Sequence, residues 1–259
     1  EIVGCDWSSD VCSSDLIIWS GVFLMLLSVL LTIFSTTAMD GTIWTFPFFS
    51  EQVVKNNVTT IFPMCIVLIA GYIIAREEKD NALKNIMVIP VSYSCLLSGK
   101  LVACALLSLF LGLASAVFTI AASLLLEFPG FSVAVVIQTF IQMILNCLFL
   151  YIAVTPVIAL TVRIPNGHLI GTIIAFVYGY GGMFASGNMT LANVYPITAS
   201  LGLIRYRSYD PAVHWNMLSC LCSLILCVCI SCIFILRMKN KEPERTTKKP
   251  DKAILKKGW

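Results

Sequence analysis

The most informative charged segment of the sequence is residues 76–100. Most of its first nine positions carry a charge, and apolar residues then recur at positions that share one face of a helix. Those positions are Ala82, Leu83, Ile86 and Met87. Pro90 would end such a helix, because proline lacks the backbone N–H that a helix interior needs. The pattern predicts a short amphipathic helix. Two interpretations stay open: a surface that binds a partner, or a solvated interfacial connection.

The cysteines and histidines do not form a pattern typical of a catalytic or metal site. The chain has 11 cysteines, most of them inside apolar runs. The close pairs between positions 220 and 229 lack the two-residue gap of a zinc knuckle and have no suitably spaced histidine. His168 and His214 are isolated, and we interpret both as surface residues. We therefore expect no metal and no disulfide, with the cysteines acting as small packing residues.

The chain also lacks the phosphate-binding loop of an ATPase. Gly99-Lys100 is followed by Leu101, and no glycine stands five positions before Gly99. A Walker A loop needs both glycines and a Ser or Thr after the lysine, so that its backbone can cradle phosphates at a helix start. We expect no catalytic residue, no cofactor and no ATP hydrolysis by this chain alone.

Segment 76–100 lies between long apolar stretches, and the whole chain is rich in such stretches. Hydrophobic residues make up 58% of the chain and charged residues 12%, and the mean hydropathy is +0.90. A soluble domain carries about 25% charged residues, so lipid is the solvent that this composition indicates. Six runs are long enough to span a bilayer: Leu16 to Thr37, Val58 to Ala75, Leu101 to Leu126, Val133 to Val162, His168 to Ala185, and Asn216 to Leu236. The predicted fold class is all-α: a polytopic membrane protein with six transmembrane helices and a cytoplasmic helix between the second and third.

Basic residues between the runs predict the orientation. They collect in segment 76–100, at Arg163 and in the tail after the sixth run. The opposite side holds Lys55, Glu127, Arg205 and Arg207. Because loops with more Lys and Arg stay in the cytoplasm, both termini are predicted to be cytoplasmic. Residues 238–259 form a basic tail, which could lean on anionic lipid or simply be solvated.

Polar groups inside the runs are few. The runs contain no charged residue, so they suggest neither an ion nor a charged headgroup as cargo. The cluster Gly179-Tyr-Gly-Gly182 is interpreted as close helix packing. Gln138, Gln142 and Asn146 in the fourth run could face a substrate path or bond between helices, and we favour bonds between helices.

The first sixteen residues read differently from the rest. Residues 6–16 are polar, lack a basic signal-peptide start, and back-translate in frame to a sequence that resembles a common sequencing-library adapter. We expect residues 1–16 to be an assembly artefact and the natural start of the first helix to be missing. Without their four acidic residues, 17 bases face ten acids, which raises the net charge from +3 to +7.

Segment 76–100 resembles the signature of ABC-2 type permeases, the membrane subunits of one class of ABC transporter. The matching residues are Glu77-Glu78, Asn81, Leu83, Pro90-Val91-Ser92 and Gly99-Lys100. One departure is Ala82-Leu83, where the family usually has Gly-Thr. The resemblance covers about residues 17–240, and the six-run layout with both ends inside also fits. Small size and general likeness point to the permeases of bacitracin-resistance and lantibiotic-immunity exporters.

The resemblance implies that residues 17–237 are a permease domain and that the helix after the second span docks into a cleft on an ATPase subunit. Glu77 and Glu78 would make polar contacts there, with Asn81 beside them, while Leu83, Ile86 and Met87 would form the docking face and Pro90 the helix end. The implied partners are an ABC ATPase subunit that binds ATP, a second copy or related permease, and membrane lipid, but no nucleic acid.

The resemblance further implies a short helical re-entrant element around Tyr195-Pro196. The apolar and basic residues that follow suggest an amphipathic piece near the outer interface, although a plain loop fits the sequence equally well. The implied cargo is amphipathic, such as a peptide antibiotic. A non-transport membrane protein, either a sensor-associated scaffold or an intramembrane enzyme, is the alternative function.

Overall fold

The computed structural model describes residues 7–38, 44–79, 93–161, 164 and 167–238. Within these ranges the chain forms α-helices, one π-helical segment and no strand. In chain order they are α1 (Trp7–Ala38), α2 (Phe46–Asn56), the π segment (Asn57–Ile61), α3 (Phe62–Lys79), α4 (Tyr93–Leu125), α5 (Val133–Thr161), α6 (Gly167–Ala185), α7 (Met189–Val194), α8 (Pro196–Leu203) and α9 (Met217–Met238).

Six stretches are long and apolar enough to cross a membrane, which confirms the predicted all-α architecture with six spans. They are Ile18–Thr36, Phe46–Ile74, Cys95–Leu125, Val133–Thr161, Gly167–Ala185 and Met217–Arg237. The first, fourth, fifth and sixth agree with the predicted runs to within two residues at each end. Helix α1 itself begins at Trp7, inside the predicted leader.

The second span begins twelve residues earlier than predicted, at Phe46 rather than Val58. Asn57 and Phe62 both have right-handed helical dihedrals, so α2, the π segment and α3 form one continuous helix. We call residues 46–79 the span-two helix. Glu51 and Lys55 lie within this span, so the prediction that the spans contain no charge is wrong. The polar residues of α2 interrupted the apolar run, but Glu51 and Asn56 are bonded to other elements.

The third span also begins earlier than predicted, because Lys100 lies inside α4 instead of marking its start. The candidate span is Cys95–Leu125. Lys100 is half-buried, and a lysine near a helix end can lay its apolar stem along the helix while its ammonium reaches the interface. The sequence analysis predicted that the third span begins after Lys100, whereas the helix in the structure already contains Lys100.

Helix α5 is the centre of the bundle. It contacts α2, α3, α4, α6, α8 and α9. Most of its candidate span is buried, as is most of the second span, whereas the other four spans are mainly exposed to their surroundings. Large apolar side chains remain exposed on those four spans, as expected where lipid or another helix covers them. Pro156, predicted as a possible bend, lies within the continuous helix α5.

The loops at one end of the bundle pack together, and we call this end the loop end (residues 44–51, 126–132 and 186–216). The backbone N–H of Phe46 donates to the carbonyl of Pro129 at 2.9 Å, and the Phe46 ring stacks on Phe131 with centroids 4.5 Å apart. The Tyr206 hydroxyl donates to the backbone carbonyl of Glu51 at 3.2 Å. The start of the span-two helix is therefore anchored to two different loops.

Helices α7 and α8 replace the predicted loop or interfacial piece between the fifth and sixth spans. A helical element is present, as the resemblance implied. Every residue from Ile197 to Gly202 is buried, so α8 has no solvated face and the amphipathic interpretation is wrong. Helix α8 contacts α5, α6 and α9, which places it within the loop end of the bundle.

Candidate functional site

The predicted ATPase-coupling residues fall almost entirely outside the described residues. Asn81, Leu83, Ile86, Met87 and Pro90 all lie there. Glu77 and Glu78 belong to the last turn of α3. The structure thus shows only the helix from which the predicted coupling segment continues, and the assignment of these seven residues stays a prediction. The basic tail from residue 239 is likewise outside the described residues.

A charged cluster joins the span-two helix to the loop after α8. The Glu51 carboxylate accepts hydrogen bonds through Oε2 from Arg207 Nε at 3.0 Å and from the Tyr209 hydroxyl at 2.8 Å. The Glu51 side chain is 14% exposed and that of Arg207 is 35% exposed. A carboxylate taken out of water needs such partners, because losing hydration without compensation is costly. With the Tyr206 bond to the Glu51 carbonyl, three residues of one loop bind one helical residue.

The tyrosines of this cluster remain hydrogen-bond donors. Burial raises the pKa of Tyr206 above the ordinary value of a phenol. Burial also raises the pKa of Tyr209, and the hydrogen bond to Glu51 raises it further. Both hydroxyls therefore keep their protons at physiological pH and can donate to Glu51.

Sequence reasoning missed this cluster because Glu51 was treated as part of an outer loop and never paired. The available signal was charge: an acid and a base, Glu51 and Arg207, stand on the same side of the membrane in a chain with few charges. Their separation of 156 positions along the chain hid the contact.

Polar side chains in the span-two helix bind neighbouring spans. Asn56 Nδ2 donates to Thr32 Oγ1 of α1 at 2.9 Å, and Asn57 Nδ2 donates to Ser115 Oγ of α4 at 2.9 Å. Amide and hydroxyl groups inside a membrane are stabilised by such bonds between helices. Asn57 also opens the π segment, a local irregularity that is frequent at functional sites.

Helix α5 binds α8 and the loop after it through two amide side chains. Gln142 Nε2 donates to the carbonyl of Ile204 at 3.0 Å, and Asn146 Oδ1 accepts from Ser200 Oγ at 3.4 Å. These contacts confirm that Gln142 and Asn146 bond between elements. Gln138 is exposed.

Asn193 connects α7 to the start of α9. Its Nδ2 donates to the carbonyls of Met189 at 2.9 Å and His214 at 3.2 Å. Its Oδ1 accepts from the backbone N–H of Asn216 at 2.9 Å. A buried amide that satisfies both its donor and its acceptor fixes the geometry of the elements it joins. Asn193 therefore holds the α7–α8 pair against the sixth span.

The glycine cluster in α6 is a packing surface, as predicted. A Cβ on Gly179 would lie 2.7 Å from the carbonyl oxygen of Thr59, and one on Gly182 would lie 3.0 Å from Ile197. A Cβ on Gly181 would lie 2.7 Å from the hydroxyl of Tyr195. Small residues at these positions let α6 approach the π segment and α8 closely.

The other residues that could take part in catalysis or metal binding do not lie together in the described part of the chain. Across the described ranges, no group of three or more His, Cys, Asp or Glu residues could hold a metal ion. His214 is exposed, as predicted. His168 differs from the prediction: it packs against Gly71, and its Nδ1 is buried without a hydrogen-bond partner among the described residues. The described part of the chain is a helical bundle in which these residues do not assemble into one centre.

Comparisons with known proteins agree with this architecture. Residues 15–182 match the family described as ABC-2 family transporter protein. The chain is 32% identical over 121 residues to the bacitracin transport permease protein BCRB of Bacillus licheniformis. That match covers 46% of this chain and 58% of the relative, so the aligned region spans little more than half of the relative's length. No solved structure matches the chain.

The family match covers well over half of the chain and includes the first five candidate spans almost to the end of α6. The described helices give six candidate spans in total. The chain is therefore a multi-pass membrane protein that belongs to the ABC-2 family of transporter proteins.

Proposed function

We propose that this chain is the membrane-spanning subunit of an exporter driven by a separate ATPase subunit, and that its cargo is an amphipathic molecule such as a peptide antibiotic. The family match over residues 15–182 carries the proposal. The similarity to a bacitracin transport permease supports the class of cargo. Two copies, or one copy with a related subunit, would form the pathway.

In the proposed mechanism, the span-two helix carries movement from the ATPase into the bundle. Its far end leads directly into segment 80–92, where the coupling helix is predicted. In the proposed cycle, ATP binding closes the ATPase subunits and pushes that helix. The push shifts the bundle between an inward-facing and an outward-facing state as a rigid-body movement. Glu77 and Glu78 would supply polar contacts, and Leu83, Ile86 and Met87 the docking face.

The proposed orientation places segment 76–100 and both termini in the cytoplasm. Basic residues support this, because the segment, Arg163 and the tail lie on one side and carry most of the Lys and Arg. The loop end would then face outward. In this orientation the Glu51 cluster lies at the external boundary of the membrane.

Co-purification with a candidate ABC ATPase subunit that carries a Walker A loop tests the partner. We expect wild type to bind the ATPase and stimulate its activity, and Glu78→Lys and Ile86→Asp to reduce both at least tenfold. Glu127→Lys is the matched control, because Glu127 is an exposed carboxylate at the opposite end. If both coupling variants bind and stimulate normally, the docking assignment is wrong. If wild type binds no ATPase, the exporter proposal is wrong.

Antibiotic tolerance tests the cargo. Cells that carry the genes for this chain and for its ATPase subunit should survive a higher bacitracin concentration than cells without them. A panel of lantibiotics extends the comparison. Unchanged sensitivity to every peptide antibiotic in the panel, with ATPase binding intact, would contradict the cargo class and leave the partner assignment standing.

A further inference from the structure

The span-two helix reaches from one end of the bundle to the other. It runs without a break through residues 46–79, which is roughly 50 Å at about 1.5 Å per residue. That length exceeds the hydrocarbon thickness of a bilayer, which is about 30 Å. One end leads to the predicted coupling segment, and the other carries Glu51 at the loop end. Because the helix is continuous, a displacement at one end can be transmitted to the other.

Glu51 is bound to one short loop by several bonds at once. Arg207 and Tyr209 donate to its carboxylate, and Tyr206 donates to its backbone carbonyl. The charge pair is a half-buried contact, since the Glu51 side chain is mostly enclosed. Removing Arg207 leaves the mostly enclosed Glu51 carboxylate with the Tyr209 hydroxyl as its remaining side-chain partner and with no compensating charge. These bonds fix the position of residues 206–209 relative to the span-two helix.

The backbone of the same loop is held in a disfavoured conformation. Arg205 has a φ of 53° and Arg207 a φ of 50°, both in the left-handed region that non-glycine residues avoid. Arg205 is explained by helix capping: the N–H of Tyr206 donates to the carbonyl of Leu201, and that of Arg205 to Gly202, as in a Schellman motif.

Arg207 has no such explanation, because it follows the cap by two residues. Its side chain instead makes the ion pair with Glu51. Residues in disfavoured backbone conformations persist where surrounding contacts determine them, and they are frequent at switching elements. The ion pair with the span-two helix distinguishes Arg207 from Arg205.

We propose that the Glu51–Arg207 pair is a latch that couples movement of the span-two helix to the loop after α8, so that the coupling end and the loop end change state together. This inference rests on the proposed function, because it requires an ATPase that acts on the far end of the helix. Glu51 and Arg207 are positioning residues for transport, since nothing places them in contact with cargo.

The test compares four versions of the chain in complex with the ATPase: wild type, Glu51→Gln, Arg207→Gln and the control Arg205→Gln. Arg205 offers the same change of charge, and its backbone is also left-handed. Hydrogen exchange of the peptide covering residues 204–210 is measured with and without ATP, alongside ATPase rate and survival in bacitracin. We expect ATP to change the exchange rate at least fivefold in wild type and Arg205→Gln.

In Glu51→Gln and Arg207→Gln we expect fast exchange that ATP does not change, ATPase activity that is retained, and bacitracin protection that falls at least tenfold. The reciprocal variant, Glu51→Arg with Arg207→Glu, should recover part of the ATP response. A wild-type loop that ignores ATP while the ATPase binds would overturn the latch alone. Equal behaviour of Arg205→Gln and Arg207→Gln would overturn it as well. Failure of wild type to bind any ATPase would overturn the proposed function and the latch with it.

Discussion

Replacing Gly179 by alanine tests how closely α6 packs on the span-two helix. The new Cβ would lie 2.7 Å from the carbonyl oxygen of Thr59 and 3.1 Å from Cγ of Pro63. Both neighbours are rigid, since one is backbone and the other a proline ring. Ordinary van der Waals contact begins at about 3.4 Å, so α6 must move away from the Thr59 carbonyl by about 0.7 Å. Overpacking of this kind costs about 1–3 kcal/mol.

The control is Gly99→Ala in α4, where a Cβ meets nothing within 4 Å. Alanine is favoured over glycine within a helix by about 1 kcal/mol, and this gain applies at both positions. The difference between the two variants therefore isolates the packing cost. For a protein of this size, 1 kcal/mol corresponds to about 2–4 °C in Tm. We expect Gly179→Ala to melt about 2–12 °C below Gly99→Ala.

Thermal unfolding of the purified chain in detergent, followed by fluorescence-detected size exclusion, measures this difference. A second close contact on the same helix pair, between Gly71 and His168, limits how far α6 can tilt to relieve the clash. If Gly179→Ala is as stable as Gly99→Ala, α6 does not lie against the π segment and the packing argument is wrong.

Two further predictions concern buried amides. Asn193→Leu leaves a backbone carbonyl and a backbone N–H without partners, so it should lower the free energy of unfolding by about 2–4 kcal/mol. The control Asn188→Ala removes only an exposed helix cap and should lower it by about 1 kcal/mol. Equal melting temperatures of the two variants would contradict the role of Asn193. A double-mutant cycle of Asn57→Ala and Ser115→Ala should give a coupling of about 0.5–1.5 kcal/mol, whereas additive effects would show that this bond adds nothing.

The sequence predicted the spans well where hydropathy was uniform. Helix α5, with no charged residue, was placed to within one residue at its end. The span-two helix was placed poorly because Glu51 and Asn57 made its first half look like a loop. Hydropathy treats each residue as if it faced lipid alone. It cannot register that a carboxylate meets an arginine 156 positions later in the chain.

In the candidate site, too, local features could be predicted from the sequence and tertiary contacts could not. Local spacing was enough to propose the coupling segment, because a helix face is a property of residues three and four apart. The Glu51 cluster depends on tertiary pairing. The burial of α8 could not be predicted either. Residues from Ile197 to Gly202 are buried because three other helices cover them, and their own sequence pattern does not indicate this.

The two halves of the span-two helix are held by different forces. Near the loop end, Glu51, Asn56 and Asn57 make directional bonds to the α8 loop, α1 and α4. Beyond the π segment, the buried side chains are apolar, among them Phe62 and Ile66. Directional bonds fix both distance and angle, whereas apolar contacts tolerate small sliding movements of packed helices. The half that leads to the coupling segment can therefore slide against its neighbours, and because the helix continues through the π segment, that displacement reaches the directional bonds at the loop end.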